Sequence, residues 1–325
     1  MYILIIMIIE DVLYGKENIT SKVIIELINS SPLQRLKGIS QLGLPSRYYF
    51  ISIGSRYVHS LGVMIILKRL GASEKEQIAG LLHDVSHTAF SHIVDWVVGS
   101  FGKDDFQDRN HLEILKKSDI NNILTKYGYD VEEIANLLDF SLLDKKIPDL
   151  CADRFDYALR EFPSNVVKPI LDSVKNFDNK MVFDNEDAAY MFSTNFLQRQ
   201  KLNWGSYEGS MRYKLFAEII KRAIEIKIIE FNDLWKDDEY ILQKLEESND
   251  LKIRNIFEIL NHSSLPEFNC KKEKVNKKLR YVDPEIITNN GKLVRLSALR
   301  KDFFDELENL KKDSAEGMLL PILNF

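Results

Sequence analysis

Apolar residues recur at helical spacing through most of this chain, and this periodicity limits the fold more than any other feature of the sequence. Between His59 and Gly99 it predicts three consecutive helices, at 59–70, 73–85 and 88–99. Ser73 and Glu76 form a capping-box pattern at the start of the second. Further helices are predicted at 111–127, 130–139, 149–161, about 190–230, 233–262 and 296–311. The fold class is therefore mainly α, and the tail from 263 fits a hairpin or a small α+β appendage.

Shorter regions carry signals of their own. Thr20 or Ser21 can cap a helix over 23–29, and Ser30 restarts a second one. The aromatic and β-branched segment 45–55 predicts a loop or short extended segment, 100–110 a polar loop, and 164–190 a less regular stretch.

The chain opens with MYILIIMIIE, whose apolar run is far shorter than the roughly 20 residues that span a bilayer. It also lacks the basic leading region and the cleavage site of a signal peptide. We interpret this segment as a buried strand that opens the fold.

Charge and cysteine content limit the partners of the protein. A formal net charge of −5 over 325 residues disfavours nucleic acid and an anionic membrane as partners. An acidic protein binds a polyphosphate only by concentrating positive charge locally, through a metal ion and a few Arg or Lys. Cys151 and Cys270 show no paired metal spacing. We expect both to be reduced and buried, which favours a cytoplasmic location.

The histidines are concentrated in one part of the sequence. Four of the six lie between His59 and His92, and three of these share the stretch HDVSHTAFSH. Imidazole together with carboxylate suits divalent metals. His83 and Asp84 are adjacent at the end of a predicted helix, where both side chains can converge on one ion. A phosphate-binding loop, an H-E-x-x-H motif and a G-x-S-x-G motif are all absent from the sequence.

The order H…HD…D, formed by His59, His83-Asp84 and Asp153, resembles the signature of the HD phosphohydrolase superfamily. The segments SPLQRLKGISQLG, SRYVHSLGV, HDVSHTAFSHIVD and DRFDYALRE resemble its deoxynucleoside triphosphate triphosphohydrolase branch, which includes enzymes that add a SAM domain. No segment here resembles a SAM domain. The similarity covers roughly residues 10–165 and continues more weakly to about 225. It implies an HD catalytic domain over 1–225, with core motifs in 34–161, and a C-terminal helical and α+β extension over 226–325.

The resemblance implies a metal site and a phosphate pocket. One divalent ion, which could be Mg, Mn, Fe, Co, Ni or Zn, would be bound by His59, His83, Asp84 and Asp153. Phosphate would be contacted by Arg56, His87, His92 and Arg154, the last of which replaces a lysine that is usual in the family. His92, oriented by Asp95, is the leading candidate for proton transfer.

The resemblance also implies a nucleotide substrate. The sugar would lie against Gln41, Tyr157 and Glu161, and Tyr207 is a candidate for the tyrosine that faces the base. The expected reaction converts a deoxynucleoside triphosphate to the deoxynucleoside and triphosphate, and a homo-oligomer is expected because the related enzymes are oligomers. The rivals are another HD phosphatase or phosphodiesterase, a non-catalytic nucleotide-binding regulator, and a nuclease.

Some residues depart from the family or keep a second interpretation. EDVLYG replaces the family's D-P-I-H-G, Glu161 replaces a commoner Asp, and Leu follows His111 where the family has Glu. Asn29 and Lys37 replace the residues of a nucleotide activator site, which disfavours the same activation. Tyr157 also fits a core aromatic residue, and Asp156 with Arg160 fits a surface ion pair. The stretch CKKEKVNKKLR, 270–280, fits a solvated loop or hairpin, or a site for a nucleotide phosphate or a partner subunit.

Overall fold

The computed structural model describes residues 6–100 and 105–323 of the chain. The helices are α1 (Lys22–Ile28), α2 (Ser31–Arg35), α3 (Ser46–Tyr49), α4 (Arg56–Arg69), α5 (Glu74–Leu82), α6 (Ile93–Val97), α7 (Phe106–Lys117), α8 (Asp119–Lys126), α9 (Val131–Ala135), α10 (Ala152–Glu161), α11 (Ser164–Ser173), α12 (Glu186–Arg199), α13 (Tyr207–Glu225), α14 (Asp238–Glu246), α15 (Leu251–Leu260), α16 (Leu296–Leu299) and α17 (Lys301–Glu316). A π-helical turn, Gln200–Trp204, joins α12 to α13. The mainly α prediction is confirmed.

Eight short strands form three small sheets among the described residues: β1 (Met7–Asp11), β2 (Gly15–Ile19), β3 (Val174–Phe177), β4 (Lys180–Phe183), β5 (Lys272–Val275), β6 (Glu285–Ile287), β7 (Leu293–Arg295) and β8 (Met318–Pro321). β1 and β2 form a hairpin, and β5 pairs antiparallel with β8. The four-stranded sheet has the order β3-β4-β6-β7, with β4 and β6 parallel. This sheet joins strands from both sides of residue 225, and the domain boundary there stays a prediction.

Two glycines allow the helices around the site to pack closely. A Cβ at Gly62 of α4 would lie 2.0 Å from an oxygen of Asp156 and 2.2 Å from a nitrogen of Arg160 on α10. A Cβ at Gly80 of α5 would lie 2.4 Å from Leu67 on α4. Larger side chains at these positions would therefore separate α4 from α5 and α10. The HD motif residues lie in α4 and α10 and directly after α5.

The segment predicted as one helix over 88–99 is helical only at Ile93–Val97, so that prediction is wrong for its first turns. Phe90 and Ser91 have positive φ angles of 59° and 50°, which a right-handed helix excludes. Asp238 holds this turn by accepting hydrogen bonds from the backbone N–H of Phe90 at 2.7 Å and of Ser40 at 2.8 Å. A tertiary contact therefore overrides the local helical preference.

Other local predictions need correction. The opening strand is buried only in part, since Ile8 in β1 is 65% exposed and Ile9 is buried; residues 1–5 of the predicted segment lie outside the described residues. Segment 45–55 contains the one-turn helix α3, and α7 begins at Phe106, inside the predicted loop 100–110; residues 101–104 of that loop also lie outside them. Cys151 is buried as expected, but Cys270 is exposed. No helix in the described ranges is long and apolar enough to cross a membrane.

Candidate metal and phosphate site

The structure brings the four predicted metal ligands together. His59 lies in the first turn of α4, His83 and Asp84 follow the end of α5, and Asp153 lies in the first turn of α10. Nε2 of His59 is 3.2 Å from Nε2 of His83, 3.0 Å from Oδ1 of Asp153 and 3.8 Å from Oδ2 of Asp84. Two imidazoles and two carboxylates thus surround one point, although they come from three helices.

The hydrogen bonds of the two imidazoles orient their Nε2 atoms so that this group of residues can bind a cation. Nδ1 of His83 lies 2.7 Å from the carbonyl oxygen of Gly80, and Nδ1 of His59 lies 2.7 Å from Oδ2 of Asp156. Each Nδ1 therefore carries the proton of the neutral ring, which directs two Nε2 lone pairs at each other across 3.2 Å. Burial lowers the pKa of His59, but hydrogen bonds to Asp153 and Asp156 outweigh it and raise that pKa to about 9. Only a proton or a metal ion relieves this repulsion, and the donor set fits a divalent metal.

A buried network of hydrogen bonds lies on the Nδ1 side of His59, and it shows that the predicted surface ion pair of Asp156 and Arg160 is buried. Asp156 is fully buried and accepts hydrogen bonds from Arg160 Nε at 2.7 Å and from the Tyr14 hydroxyl at 2.8 Å. Arg160 also bonds Asp11 at 2.9 Å. Asp156 and Arg160 therefore do not form a surface ion pair. Asp11 and Tyr14 come from EDVLYG, so the segment that departs from the family motif still supports the metal site.

Replacing Asp156 with asparagine should weaken metal binding by about 10–100-fold, the scale for residues that orient a ligand. Asparagine removes the charge that fixes Nδ1–H of His59 and therefore the direction of Nε2. Tyr14→Phe is the control, because it keeps the carboxylate and deletes one neutral hydrogen bond; we expect a smaller loss. Metal titration and thermal melting of both variants measure this. Wild-type metal affinity in Asp156→Asn would contradict the role.

Arg56 and His87 flank the other side of Asp84. Arg56 Nη1 lies 2.7 Å from Asp84 Oδ2, and Arg56 Nε donates to the Ser91 hydroxyl at 2.6 Å. Nε2 of His87 lies 3.2 Å from Asp84 Oδ1. Burial raises the pKa of Asp84, but the Arg56 charge outweighs it and holds that pKa well below its usual range. Burial and the same arginine lower the pKa of His87, so His87 is neutral at physiological pH.

His92 and Asp95 form the predicted pair, in a loose geometry. Nδ1 of His92 lies 3.4 Å from Oδ2 of Asp95. Asp95 is fully buried, and its other oxygen accepts hydrogen bonds from the Ser100 hydroxyl and the Phe106 N–H, both at 3.2 Å. The His92 side chain is 26% exposed. Because Nδ1 faces Asp95, Nε2 is the nitrogen that remains available to a ligand.

A cavity of about 600 Å³ lies beside these groups, and its lining includes Arg56, His83, Asp84, His87, His92 and Asp153. Gln41, Arg154, Tyr157 and Glu161, for which the family resemblance implies phosphate or sugar contacts, also line it, and those contacts stay predictions. Tyr207 is 39% exposed and lies outside the lining, and its role as the tyrosine that faces the base stays a prediction. Tyr213, one helical turn and a half further along α13, lines the cavity instead. Sequence reasoning missed it because the helical register depends on the π-helical turn that precedes α13.

Two lining residues already have protein partners. Arg154 donates to the carbonyl oxygens of Lys145, at 2.8 Å, and of Asp149. Glu161 accepts hydrogen bonds from Trp204 Nε1 at 2.7 Å and Asn203 Nδ2 at 2.9 Å, and thereby holds the π-helical turn. Both residues therefore shape the cavity wall besides facing its interior.

His111 does not line the cavity. It is buried with Nδ1 3.2 Å from the Ser86 hydroxyl, and burial lowers its pKa to about 4. The basic stretch 270–280, by contrast, contributes Lys277, Lys278 and Arg280 to the lining. Its interpretation as a solvated loop is therefore incomplete.

Comparison with known proteins agrees with this geometry. The HD domain, as a family, matches residues 56–253, and the chain belongs to that family. It is 32% identical over 332 residues to the uncharacterized protein YdhJ of Bacillus subtilis, covering 97% of this chain and 99% of that one. It is 28% identical to the metal-dependent phosphohydrolase cns2 of Cordyceps militaris, covering 86% and 84%. It is 28% identical to the deoxynucleoside triphosphate triphosphohydrolase SAMHD1 homolog of Dictyostelium discoideum, over 47% of this chain and 35% of that one.

Proposed function

We propose that this protein is a metal-dependent phosphohydrolase that acts on nucleotides, most concretely a deoxynucleoside triphosphate triphosphohydrolase. The observation that carries the proposal is the convergence of two imidazoles and two carboxylates beside a cavity large enough for a nucleotide. The relative named as a metal-dependent phosphohydrolase, which matches along most of both chains, supports the coarser function. The match to the triphosphohydrolase supports the finer one over about half of this chain.

In the proposed reaction, Arg56, His87 and His92 have different roles. A bound divalent ion supplies Lewis-acid chemistry, polarising phosphate oxygens and lowering the pKa of water. Arg56 is held in place by Asp84 and Ser91, so its guanidinium is positioned in advance for charge that develops on phosphate. Neutral His87 offers a hydrogen bond without another positive charge. His92, with Nε2 available and Nδ1 facing Asp95, transfers a proton to or from a reacting oxygen.

The positions of Tyr157 and Gln41 favour a substrate whose sugar is deoxyribose. Tyr157, on the same helix as Asp153, lines the cavity with its ring centroid 6.4 Å from that of His59 and 5.4 Å from that of Trp204. The amide oxygen of Gln41 is buried without a hydrogen-bond donor among the described residues, so a sugar hydroxyl would satisfy it. A ring packed against the sugar leaves little room for a 2′-hydroxyl.

We expect dNTPs to be hydrolysed about 10–200-fold more efficiently than the matching NTPs, the range of discrimination by one steric contact and one hydrogen bond. Tyr157→Ala should narrow that ratio, because it removes the steric contact at the sugar. Tyr207→Ala is the matched control, since it deletes the same ring at an exposed tyrosine outside the cavity lining. The measurement is kcat/KM for dATP and ATP with each variant, with Mg²⁺, Mn²⁺, Fe²⁺, Co²⁺, Ni²⁺ or Zn²⁺ present. Equal rates on ATP and dATP in the wild type would contradict the proposal.

A second candidate is an HD-type nucleotide phosphatase or phosphodiesterase with the same metal site. It is favoured by the partners of Arg154 and Glu161, whose hydrogen bonds to protein groups leave fewer contacts for a triphosphate and a sugar. The products distinguish the two: inorganic triphosphate supports the triphosphohydrolase, whereas orthophosphate or a monoester supports the second candidate. A homo-oligomer and a cytoplasmic location stay predictions from the sequence.

A further inference from the structure

A short segment near the C-terminus carries three cations to the cavity. Lys277, Lys278 and Arg280, called here the C-terminal rim, lie between β5 and the buried Val282. The segment is fixed at both ends. On one side β5 pairs with β8, and on the other the Asp283 N–H donates to the Pro148 carbonyl oxygen at 3.0 Å. The rim is therefore held at the cavity by its backbone.

The three cations of the rim meet different walls of the cavity. Lys277 Nζ donates to the carbonyl oxygen of Trp204 at 2.6 Å. Arg280 lies near Tyr157. Burial raises the pKa of the Tyr157 phenol, and the Arg280 charge acts against that rise. Lys278 lies near Asp108, whose pKa is raised by burial while the Lys278 charge acts against that rise. Asp108, Lys278 and His92 all line the cavity. The rim thus extends from the wall formed by the π-helical turn to the wall that carries His92.

The cavity holds an excess of positive charge in an acidic protein. Its lining contains seven basic side chains, Arg56, Lys145, Lys146, Arg154, Lys277, Lys278 and Arg280, against five acidic ones, Asp84, Asp108, Asp144, Asp153 and Glu161. Two of the acidic residues belong to the candidate metal site, so a bound divalent ion increases the excess. The whole chain has a formal charge of −5. Positive charge concentrated in this way attracts a polyvalent anion.

Arg56 and Arg154 account for only part of the cationic lining. Arg56 pairs with Asp84, and Arg154 donates to two carbonyl oxygens of the loop that carries Lys145. Lys278 is exposed and lines the cavity. Lys145 and Lys146 line the cavity from the loop before α10. The rim and these two lysines are therefore the cations placed to contact groups away from the metal.

We propose that the C-terminal rim, together with Lys145 and Lys146, binds the phosphate groups of the substrate that lie beyond the phosphate at the metal. This inference rests on the proposed function and specifies the substrate class as a nucleoside di- or triphosphate rather than a monophosphate. A lysine ammonium is a mobile point charge with three donors, which suits the freely rotating end of a polyphosphate chain. A monophosphate bound at the metal has no further phosphate group to offer these cations.

The test measures binding of inorganic triphosphate and of orthophosphate to the metal-loaded full chain by calorimetry. Lys278→Ala should weaken triphosphate binding by about tenfold, the scale of one charge-assisted hydrogen bond, and change orthophosphate binding by less than about twofold. Lys272→Ala is the matched control, because Lys272 is an exposed lysine of β5 outside the cavity lining. It should leave both affinities within about twofold of wild type. Both lysines are exposed, so neither exchange threatens the fold.

Three results would overturn the inference. Lys278→Ala could bind triphosphate like the wild type, it could lose both anions equally, or Lys272→Ala could show the same loss. The proposed function is tested separately by the products that the wild type forms from dNTPs. If the wild type releases only orthophosphate, the triphosphohydrolase proposal is wrong. The inference about the rim would still stand if Lys278→Ala had lost affinity for triphosphate. Release of triphosphate with unchanged binding by Lys278→Ala would end only the inference about the rim.

Discussion

Asp153→Asn is expected to empty the metal site and to lower turnover by at least about 10³-fold, because a bound metal contributes several kcal/mol of transition-state stabilisation. Asparagine keeps the shape of the side chain but places a neutral amide where Oδ1 lies 3.0 Å from His59 Nε2 and 3.6 Å from His83 Nε2. The Asp153 side chain is 31% exposed, so the exchange should cost little folding stability. Metal content by elemental analysis and kcat on the same preparations measure the effect.

Asp144→Asn is the control for this prediction. Asp144 lines the same cavity, but it is not one of the four candidate ligands. It should retain about one metal ion per chain, as the wild type should after reconstitution. If Asp153→Asn keeps its metal, or if Asp144→Asn loses it equally, the four-residue site is wrong.

Asp84→Ala is a poorer test of the same site, although the motif alone suggests that it would leave the fold intact. Asp84 is the buried partner of Arg56, at 2.7 Å, and also lies 3.2 Å from His87. Removing one partner of a buried ion pair typically costs about 3–5 kcal/mol. Loss of metal in Asp84→Ala would therefore be mixed with loss of folded protein.

His92→Ala should lower kcat by about 10²–10⁴-fold while metal content and KM stay near the wild-type values. His92 is the cavity histidine whose Nε2 remains available, and it lies outside the group of metal ligands. Asp95→Asn should cause a smaller loss, since it disturbs only the orientation of the ring. Rates with a dNTP at saturating metal, together with metal content, measure both variants.

His262→Ala is the control for a general effect of removing an imidazole, because His262 is exposed and outside the cavity lining. It should keep wild-type turnover. Full activity in His92→Ala would transfer the proton-transfer role to His87, whose ring centroid lies 4.9 Å from that of His92. His111 is a weaker alternative, because it is buried behind Ser86 outside the cavity lining.

The metal ligands could be predicted because the order H…HD…D resembles the HD family signature, and local structure fixes the position of each ligand on its helix. His83 and Asp84 are neighbours at the end of α5, His59 lies in the first turn of α4, and Asp153 lies in the first turn of α10. Helix ends are readable from capping residues and glycines, such as Ser73, which accepts a hydrogen bond from the Glu76 N–H. Three short motifs therefore identified the candidate ligands, and only helix packing brings Asp153 to His59, which is 94 residues away in sequence.

The cavity walls could not be predicted in the same way. The turn at Phe90 depends on Asp238, which is 148 residues away in sequence. The position of Tyr213 rather than Tyr207 in the cavity depends on a π-helical turn held by Glu161. Such contacts arise only when distant segments pack, and they override local helical preference.

The sequence by itself determined the mainly α fold, because helical periodicity is a property of short segments. The four candidate metal ligands and the His92–Asp95 pair were predicted from the resemblance of short motifs to the HD family. Only the tertiary structure decided that Asp11 and Tyr14 support Asp156 behind His59, and that Lys277, Lys278 and Arg280 border the same cavity. The physical reason is that burial and charge depend on which surfaces meet. A basic stretch or an i, i+4 ion pair has the same sequence pattern whether it faces solvent or a cavity.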